Sequence, residues 1–438
     1  MGHLAGKDVY YTLGRKIDGS TAKAPWNPAF HEILKTVFST EEADLFVALP
    51  YTLSTLDRIS RTTGRGKAEL KNRLDAMTSK GLVVDLRVNG AYRYMPSPLV
   101  VGIFEFTMMR TDNEPDTRKC AALFHEYLNG HMDFWRENTK SNAFAFIRTL
   151  AHEEAVIPED HIEIYDYEKA GALIEASDRF SVGICSCRHE KLHSGAKQCD
   201  IPLDTCSSFG IFADFMIRNR LAKEVSKTEM LENLARSREL GLVLQADNVK
   251  NRIGFMCHCD KCCCNPLLGI RKFGFPNTVV TSNFIARTDA ARCSGCGRCA
   301  TACPVDAIHM KPTGQLKKNG KDKPRAEADH GICIGCGVCA LQCRLKAIQL
   351  ENRRQRVLTP ETTFERIILQ SLEKGNLQNQ IFDNPRSNTQ AFMRMVTGAF
   401  FRLPPVKKAL VSDTFRSRFF SFLTTGLKLQ DKEWITKI

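Results

Sequence analysis

Eight cysteines in the last third of the chain follow one spacing twice, C-x-x-C-x-x-C-x-x-x-C, with the two copies 40 positions apart. A 4Fe–4S cluster takes one thiolate per iron, and in runs of this kind the fourth cysteine of each run binds the other run's cluster. The pattern therefore predicts two clusters. Their ligands are Cys293, Cys296, Cys299 and Cys343 for one cluster, and Cys333, Cys336, Cys339 and Cys303 for the other.

A pair of zinc knuckles is the alternative for these runs, because C-x-x-C is also a zinc-binding spacing. Two complete and matched four-cysteine runs favour the iron–sulfur interpretation. The segment from about Thr288 to Glu351 resembles the bacterial two-cluster ferredoxins, and this resemblance implies a ferredoxin-like module. Arg344 stands where that family has a second proline, a change that removes no ligand.

Nine further cysteines lie between positions 185 and 264 and form a second candidate site. Thiolates at this density repel one another and oxidise unless a metal holds them. We predict one or two additional Fe–S clusters here, with a structural zinc site as the alternative. The first-choice ligands are Cys185, Cys187, Cys199 and Cys206. The C-H-C-D-K-C-C-C run adds Cys257, Cys259 and Cys262, and leaves Cys263 or Cys264 as a free thiol or as a ligand of a second metal.

The N-terminal third resembles the winged-helix domains of bacterial regulators. A capping box at Ser39 opens one helix, two more helices follow, and Asn89-Gly90 predicts a hairpin. DNA binding would place the Lys67–Lys80 helix in the major groove. We favour a packing or docking module, because acidic residues lie on the same helix and in the hairpin. The candidate basic face consists of Arg61, Arg65, Lys67, Lys71 and Arg73, and the acidic residues are Glu69, Asp75 and Asp85.

Composition describes an ordinary folded chain of 438 residues, with 43% hydrophobic and 25% charged residues. No apolar run is long enough for a membrane span, and the N-terminus lacks the apolar core of a secretory signal. Eighteen cysteines at ligand spacings indicate bound metal in a cytoplasmic and anaerobic setting rather than disulfides. The net charge of +13 suits nucleic acid, anionic lipid or an acidic redox partner.

The fold class that these patterns predict is a multidomain α+β chain. The predicted parts are an N-terminal extension (1–29), a winged-helix-like domain (30–105), a small Cys-rich α/β domain (106–275), a two-cluster ferredoxin domain (276–352) and a basic, Phe-rich helical region (353–438). Two apolar stripes in the last part favour packing within the chain or on a partner over contact with the inner membrane surface. The stripes are Phe392, Met395, Phe400 and Phe401, and Phe415, Phe419 and Phe422.

Two other segments carry weaker signals. His189-Glu190-Lys191-Leu192-His193 matches the zinc-protease pattern H-E-x-x-H, but it runs into Ser194-Gly195, a poor helical context. We expect His189 and His193 to be exposed or to hydrogen-bond cluster sulfur. The Lys-rich loop between Lys311 and Arg325 is either a docking site for an acidic partner or a plain solvated insertion.

The whole arrangement resembles a family of anaerobe iron–sulfur proteins over roughly Asp8 to Glu351. The matching stretches are FSTEEADLFVALP, MTSKGLVVD, VVGIFEF, ICSCRHE, CDIPLDTC and CHCDKCCC. The resemblance implies electron transfer beside a larger redox enzyme. No dinucleotide fingerprint is present, so a flavin or nicotinamide would sit on a partner flavoprotein. The alternatives are a redox-sensing DNA-binding regulator and an oxidoreductase acting on a small substrate at the middle cysteines, and whether the chain is itself an enzyme stays open.

Overall fold

The computed structural model describes residues 8–139, 145–157, 164–314, 323–411, 413–428 and 433–437. The chain is a mixed α+β protein with several domains, in agreement with the predicted fold class. The N-terminal part contains helices and one antiparallel hairpin. The elements are α1 Val9–Asp18, α2 Pro28–Val37, α3 Thr40–Ala48, α4 Leu56–Thr63, α5 Lys67–Ser79, β1 Val83–Val88, β2 Ala91–Pro96, α6 Phe104–Met108, α7 Thr117–His125 and α8 Asp133–Thr139.

The helices and the hairpin predicted between positions 39 and 96 are present, and their ends follow the local signals. Ser39 and Glu42 form the capping box of α3, and Gly64 ends α4 in the left-handed conformation with φ 69°. Asn89 and Gly90 both have positive φ, 52° and 79°, and close the turn between β1 and β2. Short polar residues and glycine adopt this conformation at low cost, which is why these positions punctuate the fold.

The hairpin packs against the middle of the chain. Asp85 of β1 is 6% exposed, and its carboxylate accepts a hydrogen bond from Arg218 at 2.7 Å. The Arg218 guanidinium also lies 4.9 Å from the centre of the Tyr92 ring. Around this ion pair, apolar side chains from both parts form one core: Leu53, Val84, Leu86, Phe106, Phe215 and Met216. The hairpin is therefore held in place by tertiary contacts.

Breaking this ion pair is expected to destabilise the chain measurably. Arg218→Ala leaves the largely buried Asp85 carboxylate without its partner, which we expect to cost about 2 kcal/mol. Lys71→Ala breaks a pair with Asp75 in which both side chains are 49% exposed, and should cost less than about 0.5 kcal/mol. Urea unfolding of the anaerobic protein followed by circular dichroism measures both. Equal midpoints for the two variants would argue against a docked hairpin.

The middle of the chain is an antiparallel sheet with helices on its faces. Its strands are β3 Ile147–Leu150, β4 Phe180–Ile184, β5 Asp204–Phe209, β6 Ala222–Val225, β7 Val243–Asp247 and β8 Phe255–Cys259, in the spatial order β3-β7-β8-β5-β4-β6. Its helices are α9 Ala170–Glu175, α10 Ser186–His193, α11 Gly210–Arg218, α12 Lys227–Glu239 and α13 Asn265–Phe273. One core of this part contains Leu150, Phe180, Leu234, Leu244 and Met256.

The next part repeats one small unit. In each copy a cysteine loop leads into a short helix and then into a strand of a two-stranded antiparallel sheet. The elements are β9 Phe284–Thr288, α14 Arg298–Ala302, β10 Ile308–Lys311, β11 Arg325–Ala328, α15 Val338–Leu341 and β12 Ile348–Asn352. Strand β9 pairs with β12, and β10 pairs with β11. Residues 315–322 of the predicted Lys-rich docking loop lie outside the described residues.

The C-terminal part is helical, as predicted. Its elements are α16 Thr363–Glu373, α17 Leu377–Ile381, α18 Asn388–Phe401, α19 Pro404–Val411, α20 Asp413–Lys428 and a 3-10 turn at Glu433–Lys437. Asp383, 3% exposed in its side chain, forms an ion pair with Arg58 of α4. Asn376 donates hydrogen bonds to the carbonyls of Asp18 and Ser20, at 3.2 and 2.7 Å. These contacts attach α16 and α17 to the N-terminal part.

The two predicted Phe stripes divide between packed and exposed positions. Phe401 and Phe419 pack against a small core of Ile368, Leu372 and Leu377. The more exposed positions of the stripes are Phe392 at 59%, Met395 at 65%, Phe400 at 53% and Phe422 at 75%. The side chain of Phe415 lies outside the described residues. Among the described residues, no helix has both the length and the apolar composition needed to cross a membrane.

Candidate metal centres

The middle cysteines form two separate groups, and the larger one contains six thiols. Its members, here called the six-thiol group, are Cys185, Cys187, Cys206, Cys257, Cys259 and Cys264. The sheet brings them together because Cys206 lies in β5 and Cys257 and Cys259 lie on one face of the neighbouring β8. Hydrogen bonds from Cys206 and Cys259 lower the pKa of the Cys257 thiol, so the thiolate is favoured at this position.

A buried amide lies beside these thiols. The Oε1 atom of Gln245, on β7, accepts hydrogen bonds from Cys259 at 3.4 Å and from Cys264 at 4.0 Å. Its Nε2 atom is buried and has no hydrogen-bond partner among the described residues. An unpaired buried N–H next to clustered thiols fits a sulfide or thiolate acceptor. The six-thiol group therefore suits an iron–sulfur cluster.

Arg188 places a fixed positive charge against the same group. Its side chain is 0% exposed, and its Nε donates to Asp260 at 2.8 Å. It also donates to the Thr205 hydroxyl at 2.7 Å and to the Pro202 carbonyl at 2.9 Å. Burial opposes the charge, but the neighbouring Cys185 and Asp260 raise the pKa of the guanidinium. A permanently charged Arg188 offsets the negative charge of bound thiolates.

The smaller group, here called the Cys199 site, contains Cys199, Asp260, Cys262 and Cys263. The Cys263 sulfur lies 3.9 Å from that of Cys199 and 3.4 Å from that of Cys262. The predicted first-choice set is therefore divided, because Cys199 lies here while its three predicted companions lie in the six-thiol group. Cys262 is likewise separated from Cys257 and Cys259. The cause is local: β8 ends at Cys259, and the loop that follows turns the next cysteines towards the loop that carries Cys199.

The H-E-x-x-H segment is largely buried and hydrogen-bonded to its surroundings. His189 is 6% exposed, and its Nδ1 lies 2.7 Å from the Met108 carbonyl, so the expectation of an exposed or sulfur-bonded ring is wrong for this residue. Its Nε2 lies 2.9 Å from that of His193. Glu190 is fully buried, and it pairs with His125 and Lys191. Asn265 joins the same network to Cys187, with its amide 3.7 Å from the sulfur.

Sequence reasoning missed four side chains that line these sites: Gln245, Arg188, Asp260 and Asn265. Three of them are neighbours of cysteines in the sequence, and that adjacency was the available signal. Gln245 lies twelve positions before the nearest of these cysteines, and only the pairing of β7 with β8 brings it to them. Register between strands is a tertiary property, so no local pattern reveals this residue.

The strongest electrostatic contacts divide the eight cysteines of the repeated runs into two groups. The thiols in electrostatic range of Cys299 are Cys293, Cys296 and Cys343. Cys303 and Cys333 act on the pKa of Cys336, and Cys336, Cys333 and Cys303 act on the pKa of Cys339 more strongly than Cys299 does. Each set thus combines three cysteines of one run with the fourth cysteine of the other. Burial raises the pKa of the Cys336 and Cys339 thiols, so their thiolate forms need a positive charge beside them, which a bound metal would supply.

Glycines allow the cysteine loops to close. Gly295, Gly297, Gly335 and Gly337 have φ between 67° and 85°, a conformation that side chains rarely adopt. A Cβ on Gly335 would lie 2.2 Å from the carbonyl oxygen of Phe284, and one on Gly295 would lie 2.2 Å from that of Pro324. The backbone therefore passes too close to its neighbours for any other residue at these two positions.

The two fourth cysteines receive the same backbone hydrogen bond. The Ala307 N–H donates to the Cys303 sulfur at 3.2 Å, and the Ala347 N–H donates to the Cys343 sulfur at 3.2 Å. Such bonds stabilise thiolate ligands and raise the reduction potential of a bound cluster. The glycine loops, the crossed thiol sets and these donors together fit two 4Fe–4S clusters.

Residues 292–347 match the family model described as the 4Fe-4S dicluster domain. The match contains all eight cysteines of the repeated runs, and this part of the chain is a ferredoxin-like iron–sulfur domain. Comparisons of the chain with curated proteins and with solved structures found no match.

The two thiol sets of the dicluster domain differ in depth. The outer set consists of Cys293, Cys296, Cys299 and Cys343, and its Cys296 is exposed. The deeper set consists of Cys333, Cys336, Cys339 and Cys303, which are all buried.

Proposed function

We propose that the chain passes single electrons between a partner redox protein and a buried iron–sulfur centre in its six-thiol group. The observation that carries this proposal is one continuous core. It contains cysteines of the dicluster domain and of the six-thiol group together: Cys299, Cys303, Cys333, Cys336, Cys339, Cys259 and Cys264. We infer that clusters held in this shared core would exchange electrons, and they would supply one-electron chemistry when bound.

The segment after β3 links the deeper thiol set to the sheet of the middle region. The backbone N–H of His152 donates to the Cys336 carbonyl at 3.0 Å, and its Nε2 lies 2.8 Å from the carbonyl of Leu242. Leu242 precedes β7, the strand that carries Gln245. His152 is 0% exposed. A dry, hydrogen-bonded connection of this kind keeps the spacing of two redox centres constant and excludes water from between them.

The outer thiol set supports docking of an acidic partner. The side chains of Arg292, Arg298, Arg344 and Lys346 are exposed around Cys296 and Cys343. A basic rim around the exposed redox centre steers a negatively charged protein to it and fits a transient encounter. In this proposal the electron passes between the partner and the outer set, then the deeper set, then the six-thiol group. A flavoprotein or a larger oxidoreductase complex is the proposed partner.

The N-terminal elements support a docking module rather than a DNA reader. Cations of α5 pair with carboxylates of the same domain: Lys67 with Asp57 at 2.7 Å, Lys71 with Asp75 at 2.6 Å and Arg73 with Glu69 at 2.9 Å. Phosphate contacts need cations that are free to neutralise DNA charge. The hairpin that would serve as the wing is packed on α11 through Asp85 and Arg218.

Metal analysis and reductive titration test the proposal. Protein prepared without oxygen is expected to contain about twelve irons and to accept about three electrons, corresponding to three cubanes. Cys259→Ser, in the six-thiol group, should lower these values to about eight and two. Cys120→Ser is the matched control, since Cys120 is buried in the N-terminal core and belongs to none of the thiol groups. Eight irons in the unmodified protein would refute the third centre, and an iron-free preparation would refute the whole proposal.

One observation favours a second candidate, an oxidoreductase. The six-thiol group has two more thiols than one cubane needs. Two free thiols of the group could reduce a small disulfide: the substrate takes two electrons and two protons, and the thiols form a new disulfide. A cluster held by the other four thiols would pass on two electrons from the redox partner, and with two protons from solvent these would re-form the thiols. Turnover of a small disulfide by the reduced protein, without an added flavoprotein, supports this candidate. A rate no higher than that of Cys259→Ser counts against it.

A further inference from the structure

We propose that the Cys199 site binds a single zinc ion, separate from the iron–sulfur centres and independent of the proposed electron transfer. The site offers three sulfurs and one carboxylate oxygen, all within 4.8 Å of one another. Thiolates with one carboxylate are a donor set that zinc accepts in closed tetrahedral sites. The four residues come from two loops, one before β5 and one after β8.

The spacing of the donors matches the spacing expected around one bound ion. Zinc–sulfur bonds of about 2.3 Å in a tetrahedron place two sulfurs about 3.8 Å apart. The Cys199 and Cys263 sulfurs are 3.9 Å apart, and those of Cys262 and Cys263 are 3.4 Å apart. The distances in this site therefore fit one shared ion.

The carboxylate of Asp260 is already oriented to bind the ion. Its Oδ1 accepts the hydrogen bond from Arg188 at 2.8 Å. Its Oδ2 faces the thiols, 3.0 Å from the Cys262 sulfur and 3.6 Å from the Cys199 sulfur. The backbone N–H groups of Cys262 and Cys263 also donate to Oδ2, each at 3.1 Å. Such partners hold a ligating carboxylate in one position.

A zinc ion here would join the loop that carries Cys199 to the loop after β8, which also carries Cys264 of the six-thiol group. Asp260 directly follows Cys259, and Cys263 directly precedes Cys264. Arg188 is bonded to Asp260 and lies one position after Cys187. The predicted role is structural: the ion ties its two loops to each other, and the closed donor set leaves no position for a substrate.

Zinc-edge X-ray absorption of the intact, anaerobic protein grown with zinc tests the site without interference from iron. The expected result is one zinc per chain with three sulfurs at about 2.3 Å and one oxygen in its first coordination sphere. Fewer than three sulfurs around the zinc, or no zinc at all, would overturn the proposal. This measurement uses only the unmodified protein, so it does not depend on whether a variant folds.

Two substitutions locate the ion. Cys199→Ser and Cys262→Ser are each expected to lower the zinc content at least about fivefold while the iron content stays unchanged. Cys120→Ser is the control and should retain both metals. A parallel fall of iron and zinc would assign these thiols to an iron–sulfur cluster instead. A disulfide among Cys199, Cys262 and Cys263, found by mass spectrometry of the freshly isolated protein, would also overturn the proposal.

Discussion

Replacing Cys303 and Cys339 together with serine is expected to remove about four irons from the protein, whereas replacing Cys303 and Cys299 together is expected to remove about eight. The first pair lies in one thiol set, because Cys303 raises the pKa of Cys339 more strongly than Cys299 of the other set does. The second pair comes from a single run in the sequence but from two different sets in the structure. Removing one ligand of a set and removing two ligands of the same set both destroy the same single cluster, so the iron loss is equal in the two cases.

Iron content and electron paramagnetic resonance of anaerobic preparations measure this outcome. The single variants are the controls, and each should lose about four irons. If Cys303 and Cys299 together removed only four irons, each run would hold its own cluster and the crossed arrangement would be wrong. The experiment thus separates crossed from self-contained ligation without requiring a reduction potential.

Gly335→Ala is expected to abolish the deeper cluster, and Gly297→Ala is expected to preserve both clusters of the dicluster domain. The two glycines have similar φ, 71° and 78°. A Cβ on Gly335 would lie 2.2 Å from both the Phe284 carbonyl oxygen and the Ser282 hydroxyl, whereas a Cβ on Gly297 meets nothing within 4 Å. We expect the first change to cost more than about 3 kcal/mol through backbone displacement, and the second about 1 kcal/mol through the left-handed conformation alone.

Iron content and the urea midpoint of the two variants check this prediction. The comparison isolates steric fit, since both variants suffer the same conformational penalty. A loss of iron from Gly297→Ala equal to that from Gly335→Ala would show that conformation alone governs these loops. Retention of the full iron content by Gly335→Ala would contradict the close approach of β9 to the cysteine loop.

The sequence predicted the features that depend on neighbours in the chain. The spacing of the repeated cysteine runs predicted the dicluster domain, because a cubane requires a fixed number of thiolates from a short loop. Ser39, Gly64 and Asn89-Gly90 marked the ends of helices and a hairpin through their own backbone preferences. These signals depend on only a few neighbouring residues, so they can be read without knowing the tertiary structure.

The division of the middle cysteines was beyond such signals. The sequence order Cys185, Cys187, Cys199, Cys206 favoured one ligand set, yet Cys199 lies with Cys262 and Cys263. Strands β5 and β8 are neighbours in the sheet although some fifty residues separate them in the chain, and this pairing decides which thiols meet. Periodicity does not encode the pairing of distant strands.

The chain by itself determined which residues are ligand candidates, where the repeated runs lie and where the local elements begin and end. Tertiary structure alone decided that the hairpin packs on α11 through Asp85 and Arg218, and that Gln245 flanks the six-thiol group. The physical reason is that ligand type and turn preference are properties of single residues. Which side chains meet depends on how sheets and helices bury their apolar faces together.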